Sequence, residues 1–236
     1  MQSWKDLSFL HWSYPPDVLQ AHLPDGLEID RFDKTAWLSL TPFYLRSLRP
    51  PFLPALPWIS HFPETNLRTY VIGPDGPGIW FFSLEAARLA AVAGARLTFG
   101  LPYRWARMQV RREGDTMHYS SVRMRGRGHT TAVVAIGSRV SHKTDIQAFL
   151  VERYRLYSIL GNRLACAEVE HPPWVLHDAT LLSLDESLRA AAALPSSSAP
   201  ALINYSPGVT VRIGPIKPCG IRRGSTAGSE DRVRHR

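Results

Sequence analysis

His61-Phe62-Pro63-Glu64-Thr65-Asn66-Leu67-Arg68-Thr69-Tyr70-Val71 sets polar and apolar side chains in near alternation. Taken as a strand from residue 64 to 71, it sends alternate side chains to opposite faces. One face then carries Glu64, Asn66, Arg68 and Tyr70, and the other Thr65, Leu67, Thr69 and Val71. Four functional groups in a row are either a wetted outer face or the polar lining of a cavity. A third reading is structural: Glu64 and Arg68, four apart on one strand face, neutralise each other or their neighbours.

The flanking sequence reads as a β-rich domain. Leu7–Trp12 is expected as a strand, Asp17–His22 as a short helix opened by Pro16, and Leu27–Asp30 with Thr35–Leu40 as a hairpin. Residues 42–63 hold six prolines, which fix φ and remove ladder donors, so an irregular loop is expected there. Its aromatic side chains would either cover an apolar ligand or pin the loop to the core. After the Pro74–Gly78 turn, Ile79–Leu84 reads as a buried strand and Glu85–Val92 as a helix. Strands are expected at Ala95–Leu101, Trp105–Arg112, Met117–Met124 and Thr131–Arg139. Thr144 is placed to cap a helix over Asp145–Arg153. Tyr154–Leu160 and Arg163–Val169 flank Gly161-Asn162 as a hairpin, Val175–Leu184 is extended, and Asp185 caps a helix to Ala193. Two last strands are expected at Leu202–Tyr205 and Val209–Ile213.

Composition narrows the class. At 236 residues and 44% hydrophobic content a sizeable core is expected. No apolar run approaches the roughly 20 residues needed to span a bilayer, and the N-terminus lacks a signal-peptide pattern. Of the net charge of +8, residues 212–236 supply +5, with seven basic against two acidic residues. The high pI therefore belongs largely to a basic tail, read as disordered from Gly220 onward. Cys166 and Cys219 lie far apart and form no metal or redox spacing, so a reduced, cytoplasmic setting is expected. No Gly-x-Ser-x-Gly elbow, phosphate loop, dinucleotide fingerprint or His-Glu-x-x-His pair is present, and the nine histidines are scattered. Neither a cofactor nor a metal is expected. The run Arg104, Arg107, Arg111, Arg112, Arg123, Arg125 and Arg127 suits nucleic acid or an anionic surface, but such a run more often marks a solvated sheet edge.

Trp12-Ser13-Tyr14, the Pro63–Val71 stretch, Phe81-Phe82-Ser83-Leu84, Leu101-Pro102-Tyr103, Glu152-Arg153-Tyr154 and Tyr205-Ser206-Pro207-Gly208-Val209 resemble the YqjF-like family of uncharacterised proteins. That family is grouped with the acetoacetate-decarboxylase-like superfamily. The resemblance runs in order over roughly residues 4–215. It implies one α+β domain over 1–215, a predominantly antiparallel or mixed barrel-like sheet with a central cavity and a few packed helices. A basic tail at 216–236 would follow.

Acetoacetate decarboxylase forms an imine on a lysine whose pKa a second lysine lowers, in a Pro-Lys-Lys-Leu-Ala segment after a glycine. The counterpart here is Gly100-Leu101-Pro102-Tyr103-Arg104-Trp105-Ala106. Tyr103 and Arg104 thus stand where the lysines would, and neither can form an imine. Lys5, Lys34, Lys143 and Lys217 are the only lysines, and none reads as a buried, activated amine.

What the resemblance leaves is a polar pocket. It implies Glu64 as acid or base, with Asn66, Arg68, Tyr70, Tyr103 and Arg104 holding a small organic anion, a carboxylate above all. Glu152-Arg153-Tyr154 is read as structural anchoring at a helix end. The alternatives are a lyase or decarboxylase acting on an oxo-acid, and nucleic-acid or protein binding through the basic sheet face and tail. A membrane partner is not expected, and a homo-oligomer is left open.

Overall fold

The computed structural model of the chain describes residues 2–47, 60–196 and 198–220. Its elements in order are β1 (Gln2–Tyr14), α1 (Pro16–Gln20), β2 (Glu28–Ile29), β3 (Arg31–Phe32), β4 (Thr35–Arg46), β5 (Phe62–Gly73) and β6 (Gly76–Ala86). There follow α2 (Leu89–Phe99), β7 (Tyr103–Glu113), β8 (Thr116–Arg123), β9 (His129–Arg139) and α3 (Asp145–Val151). The chain closes with β10 (Arg155–Leu160), β11 (Arg163–Glu170), β12 (His177–Glu186), α4 (Leu188–Ala191), β13 (Leu202–Ile213) and β14 (Lys217–Pro218).

Among the described residues all strands join one mixed sheet, in the order β14-β11-β10-β6-β7-β8-β9-β12-β13-β1-β4-β5-β2 with β3 beside β4. Two further pairings, β5 with β6 and β11 with β13, bend this sheet into two rings. The larger runs β6-β7-β8-β9-β12-β13-β1-β4-β5, and the smaller β6-β10-β11-β13-β1-β4-β5. Strand β6 makes the branch: Ile79 and Trp80 pair in parallel with β10, whereas Leu84–Ala86 pair in parallel with β7. The wall β13-β1-β4-β5-β6 is common to both rings, so its strands bury both faces. This accounts for their near-continuous apolar sequence, such as Leu7–Trp12. Alternate residues of β1 feed different cores: Leu7 and Phe9 pack with Trp174 and Leu150, Leu10 and Trp12 with Leu38 and Leu188. No helix among the described residues is long and apolar enough to cross a membrane.

Several expectations are corrected. Ala95–Leu101, expected as a strand, is for the most part the second half of α2. The helix expected over Glu85–Val92 begins only at Leu89, because Glu85 and Ala86 are held extended opposite Thr65 and Glu64. The irregular loop expected over 42–63 is narrower: Pro42–Arg46 continue β4, Phe62 and Pro63 open β5, and residues 48–59 lie outside the described residues. The two strands expected near 202–213 are the single strand β13, and Asp185 lies within β12, which runs to Glu186, rather than capping a helix. Two prolines inside these strands share one cause. Strand β1 bulges at Asp6, whose φ is 53°, and its pairing with β4 shifts between Lys5 and Leu10. Pro42 faces that irregularity from one side and Pro207 from the other, where a missing N–H breaks no ladder bond.

A cavity walled by the Glu64 strand

Alternation along β5 turns Glu64, Asn66, Arg68 and Tyr70 toward the smaller ring, and all four are buried. A cavity of ≈ 40 Å³ lies against this face. Its polar wall is Glu64, Asn66 and Arg68 from β5, Gln2 from β1, Tyr103 from β7, Arg153 just beyond α3, and His171. Trp4, Phe81, Leu84, Leu101, Leu156 and Trp174 are among its apolar lining.

Local sequence puts Tyr103 there. Helix α2 ends on Gly100 at φ 63°, and a Cβ at that position would run into the Ile159 carbonyl oxygen. The chain then turns through Pro102, and Tyr103 pairs in parallel with Leu84. The Tyr103 hydroxyl donates to Glu64 Oε2 at 3.2 Å. Its neighbour Arg104 points the other way, is exposed, and lies opposite Glu85 in the register. Tyr70 sits behind the wall, its hydroxyl 3.4 Å from His11 Nδ1 and its ring 5.1 Å from the Arg153 guanidinium carbon. The fold therefore brings Glu64, Asn66, Arg68 and Tyr103 together, sets Tyr70 just outside the lining, and leaves Arg104 apart.

Electrostatics distinguish the two charged side chains of the strand. Glu64 is 3% exposed, and burial raises its pKa to about 8 against the lowering effect of hydrogen bonds with Asn66 and Tyr103; nearby Glu85 adds to the rise. It is thus mostly protonated at neutral pH. Arg68 is 5% exposed, and burial lowers its pKa, yet a guanidinium keeps its proton in proteins. Among the described residues no ion pair joins Glu64 to Arg68, and neither Nε nor Nη2 of Arg68 has a hydrogen-bond partner. The Asn66 Oδ1 atom is also unpartnered. His11, behind them, is driven to about 3 by burial and then by Arg68, so it is neutral.

Sequence reasoning gives Arg153 an anchoring role only. It does anchor, with Nη1 2.6 Å from Asp30 Oδ2 and Nε 2.7 Å from the Phe149 carbonyl, and it also lines the cavity. Its partner Asp30 is remote in sequence, so no spacing signal marks the pair. His171 escapes sequence reasoning for the same reason; its Nε2 lies 3.3 Å from the Arg153 carbonyl. No lysine is among the lining residues: Lys143 is held by Glu152 Oε1 at 2.6 Å and the Trp174 carbonyl at 2.9 Å, and Lys5, Lys34 and Lys217 are exposed. In the basic run, Arg123 pairs with buried Glu85 at 2.6 Å, while Arg107, Arg111 and Arg112 are exposed.

A second cavity of ≈ 90 Å³ adjoins the first, lined by Leu45, Phe62 and Phe99 together with Gln2, Leu101, Tyr103, Leu156 and Ile213. The last five residues line both cavities, so an apolar chamber backs onto the polar one across Tyr103.

A sequence profile of the DUF2071 family, described as an uncharacterized conserved protein, matches residues 1–210. The uncharacterized protein YqjF of Bacillus subtilis (strain 168) is 40% identical over 181 residues, 75% of each chain. Acetoacetate decarboxylase from Legionella pneumophila superposes with a TM-score of 0.62 at 15% identity, over 92% of this chain and 86% of that one. The enduracididine biosynthesis enzyme MppR with HEPES buffer bound gives 0.66 at 14% identity, over 92% and 86%. MppR complexed with pyruvate gives 0.60 at 14% identity, over 90% and 89%. At such identities these structures establish a shared fold, the mixed sheet closed on itself. The profile match and the close relative settle the rest: the chain belongs to the DUF2071 family of uncharacterised YqjF-like proteins, built on the acetoacetate-decarboxylase-like fold.

Proposed function

We propose that this protein binds a small organic acid in the cavity of the smaller ring, with its carboxylate on Arg68 and Glu64 positioned for acid–base chemistry that involves no imine. One observation carries the reading. Arg68 Nε and Nη2 are buried without a partner at the cavity wall. These two N–H bonds run side by side, the fork that grips a carboxylate bidentately. A buried, unpaired cation costs several kcal/mol, and an entering anion offsets that cost. Farther along the same strand face, the Glu64 carboxyl group, protonated at neutral pH, can donate a proton to a ligand carbonyl or enolate and take one back. The resemblance puts Tyr103 and Arg104 where the lysine pair is expected, and no lysine lines the cavity, which favours proton transfer over decarboxylation through a Schiff base. The neighbouring apolar chamber gives the remainder of the acid a place to go. That MppR is complexed with pyruvate and its fold relative acts on acetoacetate is in keeping with a small acid here.

A calorimetric titration series of acetate, butyrate, hexanoate and the matching 2-oxo acids tests this. Wild type should bind, with affinity rising about fourfold per added methylene until the chamber is filled. Arg68→Met should weaken binding by roughly 10- to 100-fold, the worth of hydrogen bonds to a charged group. The same variant should also melt no lower than wild type without ligand, since an unpaired buried charge has gone. Glu64→Gln should keep the binding but lose solvent-deuterium exchange at the carbon next to the oxo group, followed by NMR. If no acid binds wild type better than Arg68→Met, the reading is wrong.

A further inference from the structure

Cys166 and Cys219 carry no motif spacing, and the sequence treats them as unrelated. The fold corrects this. Strand β14 runs antiparallel to β11, with Ala165 opposite Pro218 and Cys166 opposite Lys217, which lays Cys219 beside Cys166. Asp75, in the turn between β5 and β6, comes to the same place. One ligand atom from each residue, two thiol sulfurs and a carboxylate oxygen, lie within 4.8 Å of one another.

We propose that Asp75, Cys166 and Cys219 form a binding site for one thiophilic divalent cation of the Zn²⁺ type, with the remaining coordination position open to water. The distances suit it. Metal–sulfur and metal–oxygen bonds of about 2.3 and 2.0 Å at a tetrahedral angle set sulfur and oxygen about 3.5 Å apart. Cys166 Sγ and Asp75 Oδ2 are 3.5 Å apart.

The ligands are also preorganised. Gly220 N–H donates to Asp75 Oδ2 at 3.0 Å and orients the carboxylate. The turn that carries Asp75 lies flat on Tyr157: a Cβ at Gly73 would fall 2.6 Å from its Cζ, and one at Gly78 2.8 Å from its Cε2. The Tyr157 hydroxyl donates to the Gly76 carbonyl at 2.7 Å and locks the turn down. Charge balance is supplied as well. Two thiolates and a carboxylate exceed a divalent ion by one negative charge, and Arg155 reaches the same turn, its Nη1 3.2 Å from where a Cβ on Gly76 would stand. Two thiolates among three ligands select thiophilic ions over Mg²⁺ or Ca²⁺. A thiol ligates as thiolate, so the ion must displace two protons and its affinity falls as pH falls.

This site is independent of the acid pocket. Leu156 lines the cavity, and Tyr157, the next residue of β10, faces the other way toward the turn of Asp75. An ion here would clip β14 and the β5–β6 turn to β11, a structural staple near the end of the described chain.

The full-length reduced protein, stripped of metal, is titrated with Co²⁺ and then Zn²⁺. The expected result is one equivalent bound, a sulfur-to-cobalt charge-transfer band, bleaching of that band by Zn²⁺, and release of two protons. Cys166→Ser and Cys219→Ser should each diminish the charge-transfer band, and Asp75→Asn should weaken Co²⁺ binding by roughly tenfold or more. The wild-type titration is decisive even if a variant does not fold. Absence of a charge-transfer band in reduced wild type would overturn the proposal, as would a full-strength band in folded Cys219→Ser. A thiol count showing Cys166 joined to Cys219 as a disulfide that persists under reductant would also overturn it.

Discussion

Glu64 and Arg68 lie on one face of β5 with only Asn66 between them on that face, yet they do not pair. Burial acts on them in opposite senses, making the acid neutral and leaving the base, whose intrinsic pKa is far higher, still a cation. This has a consequence for stability. The folded-state pKa of Glu64, about 8, exceeds its ordinary 4.5, so between those values the folded protein keeps a proton that the unfolded chain has released. Raising the pH through that window therefore costs stability; below it the effect vanishes, and above it the penalty is complete. Glutamine cannot titrate. Urea unfolding at pH 5 and pH 8 should show wild type losing on the order of a few kcal/mol relative to Glu64→Gln. His11 works in the opposite direction, its value of about 3 lying below the ordinary 6.5, but it is present in both proteins and cancels in the comparison. Parallel pH profiles for the two proteins would mean that Glu64 is not a buried acid.

At the scale of the element, helix α2 has two glycines with different duties. Gly94 is within the helix, and a Cβ there would meet nothing within 4 Å. Gly100 ends the helix at φ 63° against the Ile159 carbonyl, and from it the chain turns to deliver Tyr103. Gly94→Ala should therefore stabilise the protein by about 0.5–1 kcal/mol. Gly100→Ala should destabilise it by roughly 1–3 kcal/mol and weaken acid binding by displacing Tyr103. Denaturant melts of the two variants distinguish these outcomes. From sequence the region reads as helix followed by strand because its alanine-rich composition and its β-branched and aromatic end both carry only weak local preferences. Pairing of Glu85 and Ala86 with β5 settles where the helix begins. By contrast Thr144 is legible as a cap: it accepts from Gln147 N–H at 3.3 Å while the Gln147 side chain accepts from Thr144 N–H at 2.9 Å.

For the molecule as a whole, the branch at β6 is what makes a pocket. One strand cannot lie parallel to two neighbours on the same edge along its whole length, so β7 and β10 take opposite ends of it and the sheet parts into two rings. The smaller ring encloses the polar face of β5, and the larger encloses the Leu67 face. Closing these rings joins strands from opposite ends of the chain, β1 with β13 above all. Such non-local pairing carries a large loop-closure cost before contacts repay it, so refolding should take milliseconds to seconds or longer, about the range of all-β domains. Stopped-flow fluorescence of the buried tryptophans measures it; microsecond refolding would contradict this topology.

The alternation along Glu64–Tyr70, the cap at Thr144, the hairpin turn at Gly161-Asn162 and the family resemblance are all written locally, because backbone preference and side-chain periodicity depend on residues a few positions apart; the hairpin expected of Leu27–Asp30 with Thr35–Leu40 is not, for Glu28 and Ile29 pair with β5 and Arg31 and Phe32 with β4. That both faces of β5 are enclosed and which ring each one looks into, whether Tyr103 or Arg104 enters the cavity, the recruitment of Arg153 through Asp30, and the meeting of Cys166 with Cys219 are not. An alternating strand has the same local sequence whichever ring each side faces, and a one-residue change of register exchanges the two faces. Only the closure of the sheet, which pairs segments far apart in the chain, chooses between them.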